Sequence, residues 1–274
     1  MSAYNETCAN IGNILFNWQN VYAFGDAKYA DVLELALYNS VLSGISLSGD
    51  KFFYTNPLSA SNDFPYQLRW MGGRIPYIRI SNCCPPNTVR TITEVSDYAY
   101  SLSDNAVWCN LFGSSQVQTT LKNGQVVALK QESDYPWEGN VKITVEQLPM
   151  ESFNIRLRLP SWCSDAKLFI NGKPTDFTIE RGYVNIQRQW KKGDVIHWNM
   201  AMPTELLESN PLVEENRNQV AVKRGPIVYC LESSDMVANT RVFDVAIQST
   251  ATFKPVATVL QYACYSAGGQ RAIG

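Results

Sequence analysis

Apolar residues recur at three- and four-residue intervals in two early stretches of the chain, which is the spacing of amphipathic helices. The first stretch covers residues 6–24 and is closed by Gly25, and the second covers residues 27–44. A third helical stretch begins at Pro85 and Pro86, because prolines suit the first turn of a helix and bar a helix before them. The pattern therefore predicts three helices in the first hundred residues.

From about Ala106 onward, apolar and polar residues alternate with the two-residue period of half-buried strands. The dipeptide Asn171-Gly172 lies between two apolar runs and predicts a tight hairpin turn. Many short strands separated by turn residues are typical of an antiparallel β-sandwich. The predicted strands are 106–112, 117–121, 126–130, 141–145, 153–159, 167–170, 183–187, 195–200, 220–222 and 227–231.

The change of period divides the chain into a helical part, residues 1–104, and a β-sandwich part, residues 105–274. A chain of 274 residues with 45% hydrophobic content is long enough for two such domains. The segment 56–82 is a long loop rich in proline and glycine, and loops of this length usually carry function. The tail from about residue 249 has no clear pattern.

The charge pattern excludes several classes of partner. The net charge is -2 with both signs scattered, so no basic stripe offers itself to nucleic acid or to a membrane surface. No apolar run reaches the length of a membrane-spanning helix, and the first six residues do not resemble a signal peptide. We therefore expect a soluble, cytoplasmic chain, unless a targeting signal precedes a truncated amino terminus.

The seven cysteines form an odd and irregularly spaced set in a chain too large to need a disulfide framework. Three of them lie in apolar, strand-like contexts, where a free cysteine usually acts as a small buried hydrophobe. We expect these three, Cys109, Cys163 and Cys230, to belong to the core.

The candidate metal-ligating residues lie in two motifs that are far apart in the sequence. Glu6 and Cys8 in one, with the adjacent Cys83 and Cys84 in the other, offer one carboxylate and three thiols, which tetrahedral zinc prefers. Neighbouring side chains diverge on a regular element, so packing hardly explains the adjacent pair. A helix beginning there would favour thiolates. Two alternatives remain open, namely a disulfide from Cys8 to one of the pair, and a closed structural zinc site. Glu6 alone could also be an ordinary first-turn residue.

Three motifs, taken together with their order and spacing, resemble the glycoside hydrolase family of bacterial beta-L-arabinofuranosidases, of the family 127 type. The resemblance extends from about Tyr4 to about Leu231 and begins in the middle of the family pattern. The motifs are Glu6-Thr7-Cys8, Lys51-Phe52-Phe53-Tyr54-Thr55-Asn56-Pro57 and Cys83-Cys84-Pro85-Pro86-Asn87.

The resemblance implies the carboxy-terminal remnant of an (α/α)6 barrel followed by an antiparallel β-sandwich. It also implies a retaining hydrolase of L-arabinofuranosides, with Zn²⁺ bound by Glu6, Cys8, Cys83 and Cys84 and with Cys83 as nucleophile. The family's acid/base glutamate lies further upstream of the first motif than the five residues present here, so we expect it to be missing. The alternative is a non-catalytic carbohydrate-binding or structural fragment with a structural zinc site. Apolar helix faces left uncovered predict self-association.

Aromatic residues before the thiol pair are candidate sugar contacts. Tyr54 aligns with a family segment that places a tyrosine at the sugar, although a core tyrosine on a strand is an equal alternative. Trp70 and Tyr77 could stack on a sugar ring or simply pack their loop onto a core. Asn87 is better explained as a helix-start or loop hydrogen-bonding residue than as a sugar ligand. His197, the only histidine, is expected to be structural, which excludes a Ser-His-Asp triad.

Overall fold

The computed structural model describes most of the chain and divides it into two compact units, each discontinuous in sequence. The first unit comprises residues 1–11, 35–88 and 203–274, and the second comprises residues 12–34 and 89–202. The described residues are 5–56, 74–76, 83–122, 124, 126–147, 152–212, 216–232, 236, 240–248 and 250–255. Among them, no helix is both long and apolar enough to cross a membrane.

The three predicted helices are confirmed. They are α1 (Thr7–Phe24), α2 (Ala27–Ala36) and α3 (Cys84–Thr93), followed by the short α4 (Val95–Ala99). Gly25 ends α1 with a left-handed φ of 58°, and its N–H donates to the Val21 carbonyl at 2.9 Å. The second helix continues to Gly44 as expected, but as one π-helical turn and one 3-10 turn.

Two sheets make up most of the second unit. Their strands are β3 (Tyr100–Ser103), β4 (Ala106–Cys109), β5 (Ser115–Thr120), β6 (Val126–Ser133), β7 (Asn140–Gln147), β8 (Phe153–Arg158), β9 (Ala166–Ile170), β10 (Lys173–Pro174), β11 (Ile179–Glu180), β12 (Tyr183–Arg188) and β13 (Val195–Met200). One sheet has six strands in the order β10-β9-β13-β7-β6-β5, and the other has five in the order β11-β12-β8-β4-β3.

The expected alternation of buried and exposed residues is clear on the central strands. On β7, Val141, Ile143 and Val145 are buried, while the intervening residues are less so. The indole N–H of Trp198 on β13 donates to the Arg158 carbonyl on β8 at 3.3 Å, which joins the two sheets. One detail of the prediction is wrong, since β4 and β8 run parallel in an otherwise antiparallel arrangement. The mixed class, with helices and several antiparallel sheets, is confirmed.

Two loops of the second unit are tied together through a carboxylate. Asn171 and Gly172 form the predicted hairpin turn between β9 and β10, both with positive φ. The Asn171 amide donates to Asp194 Oδ1 at 2.9 Å, and the Lys191 N–H donates to Asp194 Oδ2 at 2.8 Å. Burial pushes the pKa of Asp194 upward, but these hydrogen bonds outweigh it and leave that pKa below its ordinary value.

A buried charge cluster joins α2 to β8 within the second unit. Arg158 is fully buried, and its guanidinium donates to Asp31 at 2.7 Å and also to Glu34. Glu34, itself 1% exposed, accepts further hydrogen bonds from the Tyr135 hydroxyl at 2.6 Å and from the Trp162 indole at 3.4 Å. A buried arginine is tolerated because two carboxylates match its charge and both terminal nitrogens donate to them, although Nε is buried without a hydrogen-bond partner.

The first unit contains smaller sheets. Strands β14 (Thr204–Glu208), β15 (Val220–Arg224) and β16 (Ile227–Tyr229) form one, and β1 (Lys51–Phe52) pairs with β2 (Ile75–Pro76). Strand β14 was not predicted, because its sequence Thr-Glu-Leu-Leu-Glu does not alternate.

The cysteine burial predictions are mostly confirmed. Cys109 and Cys163 are buried, and burial raises the pKa of the Cys109 thiol to about 12. The prediction for Cys230 is wrong, because this residue lies just past the end of β16 and is exposed.

Candidate metal centre

The first motif is fixed by backbone pairing within the first unit. Thr7, the first residue of α1, is 1% exposed and lies between Glu6 and Cys8. Its N–H donates to the Tyr54 carbonyl at 2.8 Å, and its hydroxyl donates to the Phe53 carbonyl at 2.8 Å. Because Thr7 is held at both its backbone and its side chain, the two residues that flank it are held as well.

A second set of hydrogen bonds closes this pairing. The Asn56 amide donates to the Thr7 hydroxyl at 3.0 Å, and the Asn56 backbone N–H donates to the Asn5 carbonyl at 2.8 Å. In return, the Asn5 side chain donates to the Asn56 carbonyl at 2.9 Å. The Glu-Thr-Cys motif and the Tyr-Thr-Asn part of the middle motif therefore form one hydrogen-bonded structure.

The thiol pair lies at the start of α3, as the prolines predicted. Cys84 is the first residue of the helix, and the Asn87 N–H donates to the Cys83 carbonyl at 3.1 Å. Pro85 and Pro86 occupy the first turn, where no N–H is needed. The chain bends at Cys83, so the two adjacent thiols reach the same place, with Cys83 exposed and Cys84 1% exposed.

The structure brings together all four side chains predicted as metal ligands. The three sulfurs and one carboxylate oxygen lie within 4.8 Å of one another. Cys84 Sγ is 3.5 Å from Cys8 Sγ and 3.8 Å from Cys83 Sγ. Glu6 Oε1 is 3.7 Å from Cys83 Sγ and 3.9 Å from Cys84 Sγ. All three cysteines are free, and these separations far exceed the S–S bond of about 2.05 Å in a disulfide.

These separations fit a tetrahedral metal ion. Metal–sulfur bonds of about 2.3 Å and metal–oxygen bonds of about 2.1 Å place sulfurs about 3.8 Å apart and sulfur and oxygen about 3.6 Å apart. Four of the six distances between donor atoms are 3.5 to 3.9 Å, close to both values, and the other two pairs lie within 4.8 Å. The cluster of Glu6, Cys8, Cys83 and Cys84 could therefore hold a metal ion after small side-chain adjustments.

The local electrostatics also favour a cation. Burial raises the pKa of the Cys8 thiol, as do the neighbouring thiols of Cys83 and Cys84, while a hydrogen bond from Asn87 lowers it. The Cys8 thiol therefore resists ionisation, because it is desolvated and lies against two other thiols. A divalent cation would offset this effect, because its positive charge stabilises thiolates.

The remaining candidate residues are placed as follows. Tyr54 is half-buried, and its carbonyl accepts the Thr7 N–H and lies 4.0 Å from Cys84 Sγ, so its backbone borders the cluster. Trp70 and Tyr77 lie outside the described residues. His197 lies on β13 in the six-stranded sheet, where it is paired with Lys142 and Phe169.

Asn87 has a contact that the sequence reasoning did not anticipate. Its side-chain N–H donates to Cys8 Sγ at 3.2 Å. The sequence feature that could have predicted this contact is the position of Asn87 one helical turn after Cys83, which places its side chain near the thiol pair.

Three family models match consecutive parts of the chain. Residues 1–97 match the GH127 catalytic domain of beta-L-arabinofuranosidase, and residues 106–202 match the GH127 middle domain. Residues 204–273 match the glycoside hydrolase family 127 C-terminal domain.

Individual proteins agree with these matches. The chain is 32% identical over 240 residues to a non-reducing end beta-L-arabinofuranosidase of Bifidobacterium longum subsp. longum. A solved structure described as a glycoside hydrolase is 54% identical, with a TM-score of 0.81 over 86% of this chain. A GH127 beta-L-arabinofuranosidase from Geobacillus stearothermophilus T6 is 37% identical, with a TM-score of 0.74 over 82% of this chain.

The likeness covers only part of each relative. The aligned region spans 85% of this chain but 36% of the Bifidobacterium protein. It spans 39% of the first solved chain and 36% of the Geobacillus chain. Within that span the three domain models follow one another in order along almost the whole sequence. The chain therefore belongs to glycoside hydrolase family 127, the family of the beta-L-arabinofuranosidases.

Proposed function

We propose that this chain carries the nucleophile and the metal site of a retaining beta-L-arabinofuranosidase. Glu6, Cys8, Cys83 and Cys84 would bind Zn²⁺, and Cys83 would attack the sugar. One observation carries the proposal, namely the convergence of three sulfurs and a carboxylate oxygen, from motifs about 75 residues apart, within 4.8 Å. Three thiolates with one carboxylate favour zinc over the harder cations, which prefer oxygen ligands.

Exposure supports Cys83 as the reacting sulfur. Cys84 is 1% exposed and Cys8 is half-buried, whereas Cys83 is exposed and lies in the bend before α3. Only an exposed thiolate can approach a sugar from solvent. The start of α3 adds the partial positive charge of its free N–H groups, which favours an anionic sulfur there.

The chemistry follows from these positions. Retention requires a nucleophile on one face of the sugar and an acid on the other. When bound, the zinc ion would stabilise the Cys83 sulfur as a thiolate. The Cys83 sulfur would then form a bond to the anomeric carbon as the glycosidic C–O bond breaks. The departing oxygen takes a proton from the acid, and water later cleaves the C–S bond and restores Cys83.

The general acid is not assigned to a residue of this chain. Tyr54 and Trp70 remain proposed sugar contacts, with Tyr54 the better supported because its backbone borders the cluster. The substrate class, an L-arabinofuranoside, rests on what the relatives are described as hydrolysing.

A second candidate function is a non-catalytic module with a structural zinc site. It is favoured by the donor count, because a site with four protein ligands and no open position is usually structural. The chain would then bind carbohydrate or serve as part of a larger assembly without turnover.

We also propose that residues 1–104 form the end of an (α/α)6 barrel, and that residues 105–274 form the β-sandwich region. The exposed apolar residues on the helices support this assignment. On α1, Phe16 is 66% exposed and Phe24 is 52% exposed, and on α3, Val89 is 57% exposed. Such faces normally pack against further helices, so the chain alone should self-associate. A monodisperse monomer in light scattering would argue against this.

The test combines metal content, labelling and turnover. The chain is purified with zinc, and zinc per chain is measured by mass spectrometry. A cyclophellitol-type probe with the β-L-arabinofuranose configuration then labels the nucleophile, and peptide mapping locates the label. p-Nitrophenyl β-L-arabinofuranoside reports turnover. Cys83→Ser should abolish labelling, whereas Cys230→Ser, which changes an exposed cysteine outside the cluster, should preserve it.

The outcomes separate the two candidates. One zinc per chain with label on Cys83 supports the enzyme, and label without turnover indicates an intact nucleophile without its acid. One zinc without label supports the structural module. Neither zinc nor label would overturn the proposal.

A further inference from the structure

Asn87 connects the two ligand motifs. Its backbone N–H donates to the Cys83 carbonyl at 3.1 Å, and its side-chain N–H donates to Cys8 Sγ at 3.2 Å. Cys8 and Asn87 are 79 residues apart in sequence. One residue of α3 therefore contacts both the backbone of Cys83 and the thiol of the other motif.

The contact does not have the geometry of a helix cap. A capping side chain accepts a hydrogen bond from a free backbone N–H through its oxygen. In Asn87, the donating end of the amide meets the sulfur instead. The sequence-based expectation of a helix-start role thus explains the position of Asn87 on α3 but not the direction of its side chain.

The three sulfurs have different surroundings. Cys83 is exposed, Cys84 is 1% exposed, and Cys8 is half-buried with the Asn87 amide against it. An N–H donor stabilises negative charge on sulfur and fixes its direction, as partners of metal ligands generally do. Cys8 is thereby held in place, whereas Cys83 faces solvent.

We infer that Asn87 is a positioning residue, which holds Cys8 in place as a metal ligand through its side-chain N–H. The inference rests on the proposed function, because it requires a metal ion at the cluster. It concerns how one ligand is oriented and adds no chemical step.

The experiment measures the metal site directly and does not depend on turnover. Zinc affinity is determined by competition with a chromogenic chelator, and the Co²⁺-loaded chain is examined for its thiolate-to-cobalt charge-transfer band. The test variant is Asn87→Asp, which keeps the shape of the side chain but replaces the donor with a carboxylate oxygen. Asn13→Asp is the matched control, because Asn13 is an exposed asparagine on α1 whose side chain accepts a hydrogen bond from Asn17, as aspartate can.

We expect Asn87→Asp to weaken zinc binding by about 10- to 100-fold and to shift the charge-transfer band. Asn13→Asp should change neither. Asn87→Gln keeps an amide donor on a longer arm and should recover part of the affinity. If Asn87→Asp does not fold, as judged by circular dichroism, a comparison of Asn87→Gln with Asn87→Leu decides the question, since only the glutamine can donate.

The two possible failures are distinguishable. If the unaltered chain binds zinc but Asn87→Asp binds it equally well with an unchanged cobalt spectrum, the positioning role of Asn87 is wrong and the metal site stands. If the unaltered chain binds neither zinc nor cobalt, the metal site is wrong and this inference is wrong with it.

Discussion

Replacing Arg158 with Met should strongly destabilise the second unit. Arg158 is fully buried on β8, and its guanidinium contacts two carboxylates of α2, Asp31 and Glu34. Methionine retains much of the apolar stem and removes the charge and all donors. The variant therefore leaves Glu34, at 1% exposure, as a buried carboxylate without its cation.

The expected loss can be estimated from these contacts. Each hydrogen bond to a charged group contributes about 1.5 to 3 kcal/mol, so two of them contribute about 3 to 6 kcal/mol. The Asp31 side chain is 16% exposed, so water will partly replace the hydrogen bond that Asp31 loses with Arg158. We therefore expect the free energy of unfolding to fall by about 3 to 5 kcal/mol, as when one partner of a buried ion pair is removed.

Urea unfolding followed by tryptophan fluorescence is a suitable assay, because Trp162 donates to Glu34 within the cluster. Lys122→Met is the control, since Lys122 and Asp104 form an ion pair in which both side chains are 77% exposed. Its free energy of unfolding should change by less than about 0.5 kcal/mol. The double variant Arg158→Met with Glu34→Gln should be more stable than Arg158→Met alone, because the uncompensated charge is gone.

Two results would refute this reasoning. A loss below about 1 kcal/mol for Arg158→Met would make the cluster equivalent to an exposed ion pair. A double variant less stable than Arg158→Met alone would show that the buried negative charge is not the source of the loss.

Three further predictions concern other parts of the chain. Asp194→Asn should be less stable at pH 7, and the difference should shrink as the pH falls below about 4, because a lowered folded pKa stabilises only above the ordinary pKa of about 3.9; urea midpoints at pH 7 and pH 3 test this, and an unchanged difference would contradict it. Iodoacetamide should label exposed Cys230 in the native chain but reach buried Cys109, with its pKa of about 12, only after denaturation, which peptide mass spectrometry can show. Gly139→Ala should lower the free energy of unfolding by about 1 to 3 kcal/mol, because the added Cβ would overlap a backbone carbonyl of β13. Gly12→Ala has open space around the added Cβ on α1 and should raise the free energy of unfolding by up to about 1 kcal/mol. Thermal melts test both variants, and equal effects would contradict this reasoning.

Local patterns predicted the secondary structure well because they report local physics. The period of α1 and its end at Gly25 depend on residues within one helix, and the Asn171-Gly172 turn depends on two adjacent residues. The parallel pairing of β4 with β8 joins segments almost 50 residues apart, and no local pattern encodes the direction of such a pair. Strand β14 was not predicted, because its sequence does not alternate and it is identified as a strand only by its antiparallel pairing with β15.

The candidate site shows the same division. Ligand chemistry and the two prolines were enough to select Glu6, Cys8, Cys83 and Cys84, which the structure brings within 4.8 Å. The supporting contacts were not predictable, because an asparagine in a helix can donate, accept or face solvent. The Asn87 contact with Cys8 depends on how two distant motifs pack together, and this packing is a property of the tertiary structure.

The hydrogen bonds around Thr7 have a consequence for how an ion would enter. They join the Glu-Thr-Cys motif to the segment around Asn56 through backbone and side-chain groups that take no part in coordination. Glu6 and Cys8 are therefore held in place before any ion is bound, and this motif has little conformational entropy left to lose when an ion binds. Binding of the ion would then require little change in the backbone, and removal of the ion should leave the surrounding polypeptide folded.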